Sequence, residues 1–391
     1  MDRIKLFLNK AGGLLSIGLV ASIFLNAGAS YSQVTIIFKN ATEFPDTVQN
    51  NLYVAGNFNG WNPGEGKFKL MKENGIISLT FVPDADITFI EYKFTRGNWL
   101  TGEVLREGGY KQNRSYFYKP GMVIEETIEN FQDLAPAITK IPNPNVIQFK
   151  IYSTELKREK NIRVYLPCDY MSSGKYYPVL YMLDGQNLFD DVYAYAGEWG
   201  IDETMDSICG LGWKTSIIVG IDHAGDKRFT EYSPWYVSEE YGGGEGDEFA
   251  GFVADKLKPK IDSMYRTKPE RENTMVAGSS MGGLESLYIV LNHADKFSRG
   301  GIFSPAFWTS EENFNNAEKY NSELPVKLFF ICGAMEGNDA KYMKDMERMY
   351  NLLLDKKIGP LEMRLVVDGK GTHSEGFWRR EFLEVYSWLF R

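Results

Sequence analysis

Between residues 34 and 131 the apolar positions recur in short alternating runs, Val34 to Phe38, Leu52 to Ala55, Ile76 to Val82 and Phe89 to Phe94. Gly, Asn, Asp and Pro break each run, the pattern of half-buried strands joined by turns. About a hundred residues of this kind predict a small all-β, immunoglobulin-like sandwich domain. Residues 132–145 then lose all periodicity and gain proline, in Leu134-Ala135-Pro136 and Ile141-Pro142-Asn143-Pro144-Asn145. That stretch reads as a stiff linker. From Val146 to the end at residue 391 the pattern changes again. An opening pair of strands, Val146 to Tyr152 and Ile162 to Pro167, precedes near-continuous apolar runs at Val179 to Leu183, Ser216 to Ile221, Thr274 to Ala277, Gly301 to Phe303, Lys327 to Cys332 and Arg364 to Val367. Helical periodicity separates them, over Glu248 to Met264, Leu284 to His293, Ala340 to Asp355 and Phe377 to Phe390. Apolar strands alternating with helices predict a doubly wound, mostly parallel sheet covered on both faces. Ligands of such sheets gather at the carboxyl ends of the strands.

Residues 1–33 stand apart from both blocks. Asp2-Arg3-Ile4-Lys5 and Lys10 precede the apolar run Leu14 to Leu25, which ends in Ala27-Gly28-Ala29. This is the form of a secretory signal peptide, too short and wrongly flanked for a membrane span, and it predicts export to the periplasm or beyond the cell. Losing it takes the net charge of −9 to about −11, a body poorly suited to nucleic acid or an anionic membrane surface. Cys168, Cys209 and Cys332 are too few for a disulfide scaffold, and Cys332 lies in an apolar run as a small buried hydrophobe.

Candidate chemistry centres on Gly278-Ser279-Ser280-Met281-Gly282, set between the strand Thr274 to Ala277 and a helix from Leu284. A sharp strand-to-helix turn of this composition lifts a serine hydroxyl out of the sheet, and glycines at 278 and 282 keep side chains out of the closing backbone. Serine needs a base, and the chain has three histidines, His223, His293 and His373. His293 ends the helix after the turn, where it complements the helix dipole. His223 follows a strand but precedes the serine, which suits a pocket residue. His373 follows the last strand and takes the place of the base, since the order Ser, acid, His is usual on such sheets. The acid belongs in the loop after Val326 to Cys332, where Glu336 and Asp339 both qualify; Glu336 comes first, between glycines, and Asp339 could instead cap the next helix. For a developing oxyanion the donors are the main-chain amides of Met281 and of Gly185 or Gln186, in the loop after Val179 to Leu183. No metal site or cofactor motif is evident.

With these residues in hand, the block 146–391 resembles the esterase D-like branch of the α/β-hydrolases, which contains feruloyl and acetylxylan esterases of carbohydrate esterase family 1, enterochelin-type siderophore esterases and S-formylglutathione hydrolases. The matching motifs are Tyr181-Met182-Leu183-Asp184-Gly185-Gln186-Asn187-Leu188-Phe189-Asp190, Gly197-Glu198-Trp199, Gly278 to Gly283 and Ser304-Pro305-Ala306-Phe307-Trp308. The resemblance implies an α/β-hydrolase fold with Ser280 as nucleophile, His373 as base and a carboxylate in the Glu336 loop. One departure is Asp184-Gly185, where many members carry His-Gly. The block 34–131 looks like a carbohydrate-binding module of families 48 and 20, on Val54-Ala55-Gly56-Asn57-Phe58-Asn59-Gly60-Trp61-Asn62, Glu91-Tyr92-Lys93-Phe94 and Trp99. Carried over by position, Trp61, Lys93, Trp99 and Asn113 would touch sugar. Trp199, Tyr232, Phe307 and Trp308 are candidate aromatic walls of the ester pocket, and Lys227 with Arg228 could give it a cationic mouth. The expectation is an exported serine esterase acting on acetyl or feruloyl esters linked to carbohydrate. The alternatives are a siderophore esterase and a non-catalytic glycan-binding surface protein.

Overall fold

A computed structural model describes residues 32–85, 87–136, 143–191, 194, 197–337, 340–356 and 359–391. The expected leader up to residue 31, residues 137–142 of the linker and Asp339 lie outside the described residues.

In the N-terminal region a four-stranded sheet runs in the order Met71–Glu73, Ile76–Phe81, Val34–Phe38, Met122–Glu126. A three-stranded sheet joins Tyr53–Gly56, Phe89–Thr95 and Arg114–Phe117. Along Val34–Phe38 the first, third and fifth residues are buried and the others half-buried. That is the two-residue period of a strand with one face on a core. Val34, Ile36 and Phe38 meet Val54, Tyr92 and Phe94 of the other sheet in a single hydrophobic cluster. A four-residue helix, Asp46–Gln49, departs from the purely β expectation. The strand Phe89–Thr95 breaks the alternation in another way, because all seven residues are buried, Glu91 and Lys93 included. Its polar face therefore packs against protein.

The C-terminal block carries eight strands: β1 (Val146–Ser153), β2 (Arg158–Tyr165), β3 (Val179–Leu183), β4 (Ile217–Ile221), β5 (Thr274–Ser279), β6 (Arg299–Phe303), β7 (Val326–Met335) and β8 (Leu361–Thr372). Their order in one sheet is 1-2-4-3-5-6-7-8. β1 and β2 pair antiparallel, as do β2 and β4, and every later pairing is parallel. β3, β4 and β5 are buried at every position, which is why they read as unbroken apolar runs. Helices α1 (Ile201–Gly210) and α4 (Glu375–Phe390) cover one face, while α2 (Met281–Asn292) and α3 (Lys341–Asp355) cover the other with a helical stretch over 246–264. This is a doubly wound, mixed but mostly parallel α/β sheet. β7 and β8 run further than their apolar segments, to Met335 and Thr372, so the glycine-rich stretch before His373 is strand rather than loop. Cys168 and Cys209 form a disulfide with Cα atoms 6.1 Å apart, and Cys332 is free and buried.

Candidate active site

Ser280 stands between β5 and α2 with φ 57° and ψ −119°, a strained conformation for a residue with a side chain. Surrounding contacts hold it there. Its amide donates to the Phe303 carbonyl at 3.0 Å, and its own carbonyl accepts from Leu284 and Ala306. A Cβ at Gly278 would lie 2.6 Å from the Gly282 carbonyl oxygen, so only glycine lets the turn close. At Gly282 the same test gives 3.3 Å to Asp184 and Leu183, a tighter fit than an ordinary contact. Met281 is the first residue of α2, and its N–H has no intrahelical acceptor.

Glu336 and His373 come together through the extended ends of β7 and β8. Gly333 and Gly371 pack backbone against backbone, with a Cβ at Gly333 only 2.7 Å from the Gly371 Cα. Side chains at either position would part the strands and carry Glu336 away. As it is, Glu336 Oε2 lies 3.1 Å from His373 Nδ1. Glu336 Oε1 accepts from the Ser304 hydroxyl at 2.6 Å and from the Gly333 amide at 2.7 Å. Ser304 Oγ in turn accepts from the Trp378 indole at 2.8 Å. The imidazole packs between Tyr342, 4.5 Å away centroid to centroid, and the edge of Trp378 at 5.1 Å.

At the neighbouring strand end, Asp184 takes the left-handed conformation (φ 57°, ψ 47°) and leads into a turn over Gly185–Asn187. Arg228 clamps its carboxylate with two bonds of 2.7 Å and reaches the Ser279 carbonyl at 3.3 Å. A Cβ at Gly185 would strike the backbone of Gly220 and Ile221 at 2.7 Å, which fixes this turn against β4. Gln186 accepts from the His223 amide at 3.1 Å, and His223 Nδ1 accepts from the Gly225 amide at 3.0 Å. Burial pushes the His223 imidazole below its ordinary pKa. Ser280, Glu336, His373 and Gln186 thus all follow carboxyl ends of strands, on one rim of the sheet.

A family model described as "Putative esterase" matches residues 153–388. The chain belongs to the esterase family. It is a carboxylic ester hydrolase on an α/β fold. An endo-1,4-beta-xylanase/feruloyl esterase from Xylanibacter ruminicola is 27% identical over 340 residues, which are 84% of this chain and 42% of that protein. The uncharacterized protein YbbA of Bacillus subtilis is 21% identical over 243 residues, 59% of this chain and 92% of its own. Among solved structures, the enterobactin esterase FES from Shigella flexneri with enterobactin aligns at a TM-score of 0.57 and 16% identity over 88% of both chains. The BES protein from Bacillus cereus aligns at 0.52 and 21% identity, covering 65% of this chain and 98% of its own. Residues 146–391 are about 63% of the chain, so the likeness to the Shigella enzyme extends into the N-terminal strands.

Several expected pocket residues lie elsewhere in this esterase. Trp199 is only 2% exposed, packed between Phe303 and Trp378 in the core beneath the rim. Tyr232 and Phe307 are equally buried, and Trp308 alone of the four aromatics keeps a partly exposed ring. The expected sugar contacts divide likewise. Trp61 and Trp99 lie 6.4 Å apart, and Trp99 is 45% exposed. Lys93 is buried with its ammonium over the Tyr110 ring at 3.8 Å, and Asn113 donates to Glu91 at 3.1 Å. An alternating strand would have turned Lys93 to solvent; here that face is covered.

The cover is the esterase block. Tyr110 sits where Gly197 would carry a side chain, and Gln112 sits where Gly376 would, the residue directly after Glu375 and three after His373. Burial raises both Glu91 and Glu375 to about 7, and each carboxyl interacts electrostatically with His373. Glu375 also interacts with Asp184 and Arg228. Neither carboxyl was assigned to the ester site from the sequence, Glu91 being read only as part of the glycan-type motif Glu91-Tyr92-Lys93-Phe94. Glu375 follows His373 by two positions, which is a usable signal; nothing local marks Glu91, whose place depends on how two distant segments pack.

Proposed function

We propose that Ser280, His373 and Glu336 form a nucleophilic triad that hydrolyses esters through an acyl-enzyme. Ser280 Oγ attacks the ester carbonyl carbon while His373 Nε2 takes its proton. The amides of Met281 and Gln186 face the developing oxyanion, where one such donor is worth about 2.7–4 kcal/mol. Collapse breaks the bond to the alcohol, which receives the proton from His373. Water then attacks the acyl carbon with the same base and frees Ser280. Glu336 keeps His373 in the tautomer with its proton on Nδ1. The observations that carry this reading are the 3.1 Å approach of Glu336 to His373 and, at the same strand-end rim, a serine in a strained strand-to-helix turn.

The favoured substrates are feruloyl or acetyl esters on carbohydrate, met outside the cytoplasm. The name of the Xylanibacter relative supports the first part, and the Cys168–Cys209 disulfide suits an oxidising compartment. Glycan contact by the N-terminal region is assigned to Trp61 and Trp99. The siderophore reading asks for free cations at the mouth, and Arg228 is already committed to Asp184. Hydrolysis of methyl ferulate, acetylated xylan and a tri-catecholate ester should be compared with the wild-type chain and Ser280→Ala. Turnover of the catecholate alone would reverse the substrate assignment. Turnover that survived Ser280→Ala would overturn the triad.

A further inference from the structure

Opposite the catalytic rim, where β3, β4, β5 and β6 begin, lies a second concavity of about 730 Å³ lined by Pro178, Thr215, Met275 and Arg299 among others. β5 alone separates it from Ser280, and six residues of strand span roughly 20 Å. Its volume is within the range of small-molecule sites. Two aromatic rings stand open at its mouth, Tyr176 at 61% and Trp213 at 55% exposure. Large aromatic surface left in water at a cavity edge calls for a partner, and flat apolar rings match the C–H faces of sugars.

The charges of the cavity run against those of the chain. Its acids are already engaged: Asp169 by Lys175 at 2.7 Å and by the Tyr177 hydroxyl at 2.9 Å, Glu272 by Arg271 at 3.2 Å. Lys214 and Lys268 have no acidic partner among the described residues, and Arg299 spends one N–H on the Leu389 carbonyl. Three cations thus face a cavity on a protein whose net charge is −9.

Both walls are fixed in advance. The Cys168–Cys209 disulfide ties the segment after β2 to the end of α1, and Trp213 follows at once, its amide donating to the Ile208 carbonyl at 3.0 Å. Tyr177 is laced to the facing segment by bonds of 2.8 Å with Arg266 and Lys268. A preorganised wall loses less entropy on binding.

We propose that this cavity is a second binding site, for an oligosaccharide bearing a carboxylate, with Trp213 and Tyr176 stacking on sugar rings and Lys214, Lys268 and Arg299 receiving the acid. It does not depend on which ester is cleaved at the other rim. The test is calorimetric titration of the whole protein with glucuronic-acid-substituted xylo-oligosaccharide, with the unsubstituted oligosaccharide and with inorganic phosphate. The acidic oligosaccharide should bind at least tenfold more tightly than the neutral one. Trp213→Ala should weaken it tenfold or more, and Lys214→Ala with Lys268→Ala should erase the preference for the acid. Hydrolysis of p-nitrophenyl acetate should be unchanged in these variants, which certifies their folding. Binding that is untouched by Trp213→Ala but lost in Trp61→Ala would put the sugar on the N-terminal region and overturn the assignment. So would phosphate binding as tightly as the oligosaccharide, or no binding at all.

Discussion

Glu336 on the rim of the sheet and Glu91 on the N-terminal strand Phe89–Thr95 are both buried near His373, yet they are served very differently. Glu336 has the Ser304 hydroxyl, the Gly333 amide and the His373 ring around its two oxygens. Glu91 has the Asn113 amide as its side-chain donor, and burial pushes it up to about 7. Depth alone therefore does not decide what a carboxyl near His373 can do; the number of donors aimed at it does. The α/β rim surrounds its acid with three polar partners, while the N-terminal strand brings a carboxyl that readily keeps its proton.

The comparison breaks first if the rim is not the seat of chemistry. If Ser280 is the nucleophile as proposed, Ser280→Ala should lower kcat by about 10⁴-fold or more, with the thermal midpoint unchanged, since only binding and oxyanion contacts would remain. Next, Glu336→Gln should cost about 10²- to 10⁴-fold in kcat with KM little changed, because an amide there offers His373 the wrong hydrogen-bonding pattern. Steady-state kinetics on one soluble ester checks both. A Glu91→Gln variant that lost as much as Glu336→Gln would erase the distinction drawn between the two carboxyls.

A third prediction concerns whether the two regions behave as one. The Cys168–Cys209 bridge lies within the α/β block and closes a loop across a separation of 41 residues. Loop-closure entropy of that size corresponds to about 4 kcal/mol. Cys168→Ser should lower stability by a comparable amount in denaturant titration. Because Phe89–Thr95 is buried at every position and Tyr110 and Gln112 seat against the block, the N-terminal strands should unfold in the same transition. Two separated transitions would mean the junction is looser than its packing implies.

What the sequence displayed and what it hid follow the same division. The strands β3 to β7 declared themselves because strands buried on both faces must be apolar throughout. Ser280 was legible through Gly278, whose missing side chain is demanded by the backbone of Gly282. His373 and Glu336 were legible from chain order, although the extension of β7 and β8 by Gly333 and Gly371 was not; glycines read as loop, and only their mutual contact makes them strand. Trp199, Tyr232 and Phe307 misled because aromatic residues fill cores as readily as pockets. Lys93, carried over by position from the resemblance, misled because position in a strand cannot reveal that Tyr110, itself seated against Gly197 of the esterase block, will cover that face.

The finest test of the comparison is a pH dependence of stability at Glu91. An unfolded glutamate releases its proton near 4.5, whereas the folded one holds it to about 7. Below 4.5 both states carry the proton and the favourable contribution is complete. Between 4.5 and 7 the folded state binds more protons than the unfolded state, so stability falls as pH rises, and above 7 the contribution is gone. Glu91→Gln keeps the bond to Asn113 and removes the ionisation. The midpoint of the variant relative to wild type should therefore rise from pH 5 to pH 8, by an amount equivalent to about 1–3 kcal/mol. Calorimetry at the two pH values decides it. A difference that stayed flat, or fell, would mean Glu91 is as well served by donors as Glu336, and the contrast between rim and strand would not hold.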